Sequence, residues 1–345
     1  MTKNRLGSAS TAALRQYLRA AQDYGIEAEN ALIQNDLPTG ILDNSISRVT
    51  GTEFQRLIRW LVDACNDPIF GLKSGKYVQP GSYSIFGYMI MNCRSAREAL
   101  HMTPMYERIV GDMGVTKLEK AGNRLAVRWI CQYDDETIIP HMIDNVLLSW
   151  TQFARYLADL PEGKPYCVEL ERAKPDVHTH KIYKEMFGCE VEFNADRNAL
   201  IVDEEVLETQ LRQPDLGLLQ NLTQQAESMM SELKQKNTII LQVKNVLRRL
   251  MKEALPRKEK VADALDMTER TLQRRLQEAG TGYQQLLDDI RQETAVEWLT
   301  TTQVTINDIA NNLGFSEVRS FQRSFKTWTG KSPSEYRNQH SRNIV

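Results

Sequence analysis

The chain has 345 residues, 41% of them hydrophobic and 26% charged, which is the balance of an ordinary globular protein and favours two domains. No run approaches the roughly eighteen apolar residues that a membrane helix needs, and Met1–Ser10 lacks the apolar stretch of a signal peptide, so no membrane association is expected. The net charge of −2 is uneven: residues 237–345 hold 17 Lys and Arg against 13 Asp and Glu, a modest basic excess that fits nucleic-acid binding by this end alone.

The first hundred residues predict mainly helices. Ala12–Ala21 and Phe54–Ala64 carry large apolar residues at spacings of three and four, as one face of a helix does. Ala96–Val110 predicts a further helix, with Ser95 as its cap and Pro104 as a disturbance within it.

Strands are predicted next. Val115–Glu119 and Arg124–Ile130 flank Ala121-Gly122-Asn123, which predicts a hairpin. Three more strands are predicted at Tyr166–Glu171, Glu190–Phe193 and Leu200–Asp203, with Asn194–Asn198 as the turn between the last two. Ile143–Leu160 predicts a helix with a broad apolar face. Residues 1–210 are therefore predicted to form an α+β domain with a mostly antiparallel sheet, large enough to enclose a pocket.

No metal, cofactor or enzymatic site is predicted in this domain. The five cysteines are scattered and odd in number, which indicates buried thiols in a reducing cytoplasm rather than disulfides or a zinc site. Gly71–Tyr77 resembles a phosphate-binding loop but is one residue short and has Tyr77 where Ser or Thr should bind magnesium. His178 and His180 would lie on one face of a strand, a partial metal site for which a surface loop or an effector contact is the favoured alternative.

Residues 211–240 are predicted to link this domain to a second one. Leu216–Leu250 has apolar residues at helical spacing and predicts one long helix or two in series. The stripe of Leu219, Leu222, Ala226, Met229 and Leu233 has two interpretations: packing on the protein's own domains, which is favoured, or the seam of a homodimer.

The last hundred residues contain a near-repeat. Val261–Leu276 matches Ile309–Phe325 at an offset of 48 residues, which becomes 49 after one inserted residue. Each copy is a short apolar helix, a tight turn, and a second helix whose outer face is rich in Gln and Arg. This pattern predicts two helix-turn-helix units, residues 259–278 and 305–327, in an all-α domain of residues 241–345.

Turn and cap residues mark both units. Asp266-Met267 forms the turn of the first unit, and Thr268 caps its second helix. Thr305-x-x-Asp308 is a capping-box pattern that begins the second unit, Gly314 supplies its turn, and Ser316 is predicted to cap its reading helix.

The second helix of each unit presents side chains that read DNA. At 100° per residue, Arg270, Arg274 and Gln277 point outward in the first unit, with Thr271 and Gln273 beside them. In the second unit the outward residues are Arg319, Arg323 and Lys326, with Gln322 at the edge. Arg can donate two parallel hydrogen bonds to guanine, and Gln can pair with adenine in the same way. A solvated helix face is the alternative for either helix alone, but the repetition argues against it.

Tyr283–Leu299 predicts a connecting helix, with Thr281-x-x-Gln284 as its capping box, that fixes the separation of the two units. Arg291 within it is interpreted as a structural residue, with a phosphate contact as the alternative.

These motifs resemble the DNA-binding domain of the AraC/XylS transcription regulators. The resemblance covers about a hundred residues and is carried by Leu265–Leu276, Arg291, Ala295, Ile309-Ala310, Leu313–Ser316, Phe321-x-Arg323-x-Phe325-Lys326, Gly330-x-Ser332-Pro333 and Tyr336-Arg337. It implies a seven-helix domain with two helix-turn-helix units in adjacent major grooves.

By motif position, the resemblance implies base reading by Arg270, Gln273, Arg274, Val318, Arg319, Gln322 and Arg323. Val318 departs from the polar residue often seen at its position, so it either touches a thymine methyl group or reads nothing. The complete set of candidate DNA contacts is Thr268, Arg270, Thr271, Gln273, Arg274, Gln277, Ser316, Val318, Arg319, Gln322, Arg323 and Lys326.

The N-terminal half is similar to the sensory domain of an AraC subgroup that includes ornithine-utilisation regulators. The similarity is carried chiefly by Tyr183-x-x-x-Phe187-Gly188-Cys189-x-Val191-x-Phe193, and earlier by Gly81, Phe86-Gly87 and Ala99-Leu100. It implies effector sensing and dimerisation without identifying the effector.

The expected function is therefore transcription regulation in the cytoplasm, with double-stranded DNA, RNA polymerase, a small-molecule effector and a second copy of the chain as partners. The alternative is a DNA-targeted repair enzyme that transfers alkyl groups to a reactive cysteine.

Overall fold

The computed structural model describes residues 6–43, 47–212, 214–251 and 257–340, and the side chains of 235–238 and 340 lie outside the description. The chain divides into two compact units, Arg5–Met230 and Ser231–Val345, called below the N-terminal and C-terminal units. Across the described ranges, every helix is too short or too polar to cross a membrane.

The N-terminal unit combines helices with a five-stranded sheet. Its helices are α1 (Thr11–Gln22), α2 (Ala28–Gln34), α3 (Gly51–Cys65), α4 (Phe70–Ser74), α5 (Ser84–Met91), α6 (Ala96–Val110), α7 (Ile139–Ala158), α8 (Val177–Phe187) and α9 (Glu204–Leu207). Its strands are β1 (Ser8–Ser10), β2 (Arg48–Thr50), β3 (Gly114–Ala121), β4 (Arg124–Cys131), β5 (Cys167–Leu170), β6 (Glu190–Phe193) and β7 (Ala199–Asp203).

The helices predicted near the start and at Ala96–Val110 are confirmed as α1, α3 and α6. Thr50 caps α3 by accepting from the backbone of Glu53, whose carboxylate accepts in return from the Thr50 backbone. Ser95 caps α6, and Pro104 lies inside this helix without ending it.

The large sheet has the strand order β3-β4-β7-β5-β6, and only the pair β5–β6 is parallel. The predicted antiparallel sheet and the hairpin of β3 and β4 are confirmed, with Gly122 in the left-handed conformation at the turn (φ +66°). Residues 194–198 form the predicted turn between β6 and β7, with Asn194 in the left-handed conformation (φ +57°), but the two strands do not pair, because β5 lies between them. Asn198 explains the geometry: its side chain accepts from the Glu171 backbone and so ties the segment before β7 to the end of β5.

His178 and His180 are on a helix rather than a strand, which corrects the prediction of a shared face. Asp176 caps α8 by accepting from the backbone of His178 and Thr179. Two positions apart on a helix, the imidazoles point to nearly opposite sides. His180 contacts the Val191 carbonyl at 3.2 Å, whereas His178 is exposed.

The helices of the C-terminal unit surround two small apolar cores. They are the second part of α10 (Leu216–Leu250), α11 (Lys258–Asp263), α12 (Glu269–Glu278), α13 (Tyr283–Thr301), α14 (Ile306–Asn312), α15 (Val318–Thr329) and α16 (Pro333–His340). Leu286, Leu287 and Ile290 of α13 pack in the first core, with α11 and α12. Ala295 and Leu299 pack in the second core, with α14 and α15. One helix therefore contributes to both cores.

Four of the five stripe residues, on the first part of α10, pack in the N-terminal unit, whereas Leu233 lies beyond the end of this unit. Leu219 and Ala226 are buried in its second apolar cluster, and Leu222 and Met229 pack against the same cluster. The favoured interpretation of the stripe thus agrees with the structure, and these side chains do not form a free dimer seam.

Lys244, on the second part of α10, has a fully buried side chain. Its ammonium lies 2.9 Å from the Asp289 carboxylate and 3.3 Å from that of Glu293, both on α13. A buried charge is stable only when opposite charges compensate it, so this triad fixes α10 against α13.

Candidate nucleic-acid interface

The first helix-turn-helix unit is α11, a turn at Asp266, and α12. Asp266 adopts the left-handed conformation (φ +51°), which turns the chain sharply between the helices. Thr268 then caps α12, because its hydroxyl accepts from the Thr271 backbone at 3.2 Å. Leu272 and Leu276 are buried against α11 and α13, so the opposite face of α12 is directed to solvent.

The second unit is α14, a turn at Gly314, and α15. Thr305 caps α14 by accepting from the Asp308 backbone at 3.1 Å, and Gly314 is left-handed (φ +75°) as predicted. The prediction that Ser316 caps α15 is wrong, because the N-cap position falls on Glu317, one residue later, and no side chain makes the cap bond. Phe321 and Phe325 are fully buried and hold α15 on the second core.

Most of the candidate contact residues are exposed on these two helices or just before them. Arg270, Gln273, Arg274 and Gln277 are exposed on α12, and Thr268 is exposed at its cap. Arg319, Gln322, Arg323 and Lys326 are exposed on α15, and Ser316 is exposed before it. Thr271 and Val318 are half-buried, and Val318 packs against the second core, so part of its side chain serves the fold.

The two faces differ in charge. α15 contains Arg319, Arg323 and Lys326 and neither Asp nor Glu, whereas Glu269 and Glu278 lie on α12 among its three arginines. A phosphate backbone is attracted by both faces but more strongly by that of α15.

Two of the candidate reading side chains on α12 already have protein partners. Arg274 forms an ion pair with Glu278 at 2.8 Å, and the Gln273 amide oxygen accepts from Lys258 at 2.9 Å. The Arg274–Glu278 ion pair could have been predicted from the sequence, because the two residues are four positions apart on one helix. The contact between Lys258 and Gln273 could not, because Lys258 lies on α11 and no local pattern connects it to Gln273.

Arg291 has a structural role rather than a free phosphate-binding one. It is buried and donates to the Leu313 carbonyl at 3.0 Å and to the Gly314 carbonyl at 3.3 Å. Its guanidinium also lies over the ring of Phe315, 4.5 Å from the centroid. The connecting helix thereby holds the turn of the second unit in place.

The end of the unit matches the expected terminal turn and helix. Gly330 ends α15 in the left-handed conformation (φ +74°). Ser332 caps α16 by a reciprocal pair of bonds with Glu335. Tyr336 packs edge-on against Phe325, with ring centroids 5.4 Å apart.

Two helix-turn-helix units on one connecting helix, each with a basic and amide-rich outer face, define a protein that binds double-stranded DNA in the major groove. The family comparisons agree. Residues 25–211 match the arabinose-binding N-terminal domain of the AraC transcription regulator, and residues 261–339 match a helix-turn-helix domain. The chain belongs to the AraC family of transcription regulators.

Relatives of similar length are also regulators. The chain is 27% identical over 315 residues to the ornithine utilization regulator of Pseudomonas aeruginosa, covering 91% of this chain and 92% of the relative. It is 25% identical over 323 residues to the HTH-type transcriptional regulator VirS of Mycobacterium tuberculosis, covering 93% and 94%. The crystal structure of the regulator CdpR from Pseudomonas aeruginosa aligns with a TM-score of 0.48 at 21% identity, covering 95% of this chain and 98% of that one.

Proposed function

We propose that this transcription regulator recognises its operator through the exposed side chains of α12 and α15, placed in successive major grooves. The observation that carries the proposal is the matched pair of exposed arginines on each helix: Arg270 and Arg274 on α12, Arg319 and Arg323 on α15. Residues four apart on a helix lie one above the other, so each pair is directed toward the same groove. Thr268, Thr271, Gln273 and Gln277, with Ser316, Val318, Gln322 and Lys326, complete the proposed contacts.

The experiment is substitution of the corresponding arginines. Arg274→Ala is expected to weaken specific binding by about 1–3 kcal/mol and to relax the base preference at one position. Arg323→Ala is expected to have the same effect about one helical turn away on the DNA. Arg291→Lys is the internal comparison, because this arginine supports the fold and should lower stability rather than change base preference. Footprinting and selection from random duplexes measure both effects. Wild-type footprints and preferences in both alanine variants would refute the assignment.

Regulation by a small molecule is the second part of the proposal. The match of residues 25–211 to an arabinose-binding sensory domain supports it. We propose that the effector binds the N-terminal unit and changes operator affinity. Its identity is not implied by the family name.

RNA polymerase and a second copy of the chain are the remaining proposed partners. A homodimer would join two operator half-sites and raise their effective concentration without new base contacts. In-vitro transcription from a promoter that contains the operator tests the polymerase contact: transcription that is unchanged by the bound chain would contradict it.

The alkyl-transfer alternative requires a reactive thiolate. Burial raises the pKa of Cys65, Cys131, Cys167 and Cys189 to about 11 and that of Cys93 to about 12. Reactive cysteines have lowered pKa values instead, which favours the regulator without enzymatic activity.

A further inference from the structure

The N-terminal unit contains a partly open cavity of about 270 Å³ between helices and one face of the large sheet. Helices α5, α6 and α7 form one wall, and β3, β4 and β7 form the other. Phe86, Val127, Trp129, Val146, Trp150 and Leu200 supply much of the lining. Small-molecule sites are concave and mostly apolar, with few polar groups, and this cavity has that composition.

The charged side chains at the cavity offer little to a charged ligand. Arg155 already donates to the carbonyls of Gly163, Met186 and Phe187 at 2.6–3.1 Å. Lys164 is exposed to solvent, where water competes for its ammonium. Neither group is placed to neutralise an anion within the apolar part of the cavity.

Glu107 is the acidic side chain in the lining, and it is already satisfied. Its carboxylate accepts from the Thr116 backbone at 2.9 Å and from the Thr116 hydroxyl at 2.5 Å. Burial raises the pKa of Glu107, whereas the hydrogen bonds from Thr116 act in the opposite direction and favour its carboxylate form. An anionic ligand would be repelled by the Glu107 carboxylate, and a cationic one would have to lose its hydration against apolar walls and compete with Thr116 for that carboxylate.

We propose that this cavity is the effector site and that it binds an uncharged, apolar small molecule through ring and aliphatic contacts, without an ion pair. The regulatory part rests on the proposed function, but binding to the cavity does not, so the two can be tested separately.

The test uses three related dyes with the full-length chain. N-phenyl-1-naphthylamine is neutral, 1-anilinonaphthalene-8-sulfonate adds a sulfonate to the same skeleton, and N-(1-naphthyl)ethylenediamine carries an ammonium group. We expect saturable binding of the neutral dye, seen as enhanced and blue-shifted fluorescence, and at least tenfold weaker binding of both charged dyes. Equal or tighter binding of either charged dye would overturn the proposal, and this comparison requires no variant to fold.

Substitutions that fill the cavity give the second test. Val146→Trp on α7 and Thr103→Phe on α6 enlarge lining residues from different helices. Each is expected to weaken binding of the neutral dye at least tenfold. Gln152→Trp is the matched control, because Gln152 is on α7 but outside the lining, and its binding should stay within twofold of wild type. Circular dichroism melting identifies the variants that fold, and folded filling variants that bind like wild type would overturn the assignment.

The charge of the lining is tested by Glu107→Gln, which keeps an oxygen to accept from Thr116. We expect the sulfonated dye to bind several-fold tighter to this variant, with the neutral dye little changed. No gain for the sulfonated dye would contradict the role given to Glu107.

The site and the proposed function fail in different ways. A wild-type chain that binds its operator but not the neutral dye overturns the cavity assignment alone. A chain that binds the dye but gives no operator footprint contradicts the proposed function and leaves the dye titration intact.

Discussion

At the residue scale, two of the side chains of α12 that are proposed to read DNA, Gln273 and Arg274, already have partners within the protein. Arg274 is paired with Glu278, and both side chains are more than half exposed. Exposed pairs of this kind contribute only about 0.2–1 kcal/mol, so DNA can displace Glu278 at little cost.

Glu278→Gln should therefore tighten operator binding. The substitution frees Arg274 and removes a negative charge near the phosphate backbone, so a gain of roughly two- to fivefold is expected at low salt. The gain should shrink as salt screens both effects. Glu297→Gln, the same charge change at an exposed position of α13, is the control. Fluorescence anisotropy with an operator duplex measures the affinities, and a wild-type affinity for Glu278→Gln would argue that Arg274 does not contact DNA.

We expect His141 to make the stability of the N-terminal unit depend on pH. Its imidazole is buried and accepts from the Gly71 backbone at 3.2 Å, and burial lowers its pKa below the ordinary value of 6.5. As pH falls below about 6.5, the unfolded chain takes up a proton that the folded chain does not, so the free energy of unfolding decreases.

His141→Gln should remove this part of the pH dependence while keeping an oxygen to accept from Gly71. Urea unfolding at pH 7.5 and pH 5.5 measures the change. A difference between the two pH values that is as large in the variant as in wild type would show that another group causes it.

At the element scale, the sequence predicted what local patterns determine. The α12 and α15 faces follow from apolar residues at helical spacing, and the Thr268 and Thr305 caps follow from short-range hydrogen bonds. The predicted Ser316 cap lies one residue before the observed N-cap, because Glu317 adopts the extended conformation of an N-cap without a side-chain bond. Helix boundaries are the part that local patterns determine least well.

Sheet pairing was harder to predict than sheet content. β6 and β7 follow each other in the chain, yet β5 separates them in the sheet. Which strand pairs with which depends on long-range packing, and alternation of apolar residues does not encode it. The cavity was likewise expected only in general terms, because its lining comes from distant segments such as Phe86, Val146 and Leu200.

Lys244 should be critical for the contact of α10 with α13. Lys244→Met leaves Asp289 and Glu293 without their shared cation, and we expect a loss of about 3 kcal/mol in the stability of the C-terminal unit. This value is at the low end of the loss usually caused by removing one partner of a buried ion pair, because about a third of the Asp289 side chain remains exposed. Arg248→Met is the control, since Arg248 pairs with the same Glu293 from an exposed position and should cost less than about 1 kcal/mol. Denaturant unfolding compares them, and equal losses would contradict the special role of the buried cation.

At the scale of the whole molecule, the oligomeric state stays a prediction. We expect a homodimer at micromolar concentration, measured by sedimentation. The α10 stripe is not its surface, because Leu222 and Met229 pack against an apolar cluster of the N-terminal unit. Leu222→Asp with Met229→Asp, a pair suggested by the stripe, should therefore unfold that unit rather than release folded monomers. Folded monomers from this double variant would restore the stripe as the seam, and a monomeric wild type would rule out the dimer.

The sharing of α13 between two cores limits how an operator for this chain can evolve. Inserting one residue into α13 would rotate the second reading helix by about 100° and advance it by about 1.5 Å. Adding one base pair to the operator rotates its second half by only about 34–36°, since a DNA turn takes about 10–10.5 base pairs. The rotation per inserted residue differs from the rotation per added base pair, so inserting a residue into α13 cannot compensate for inserting a base pair into the operator. New binding sites should therefore arise by base substitution at constant spacing, with the interval between the two contacted grooves inherited unchanged.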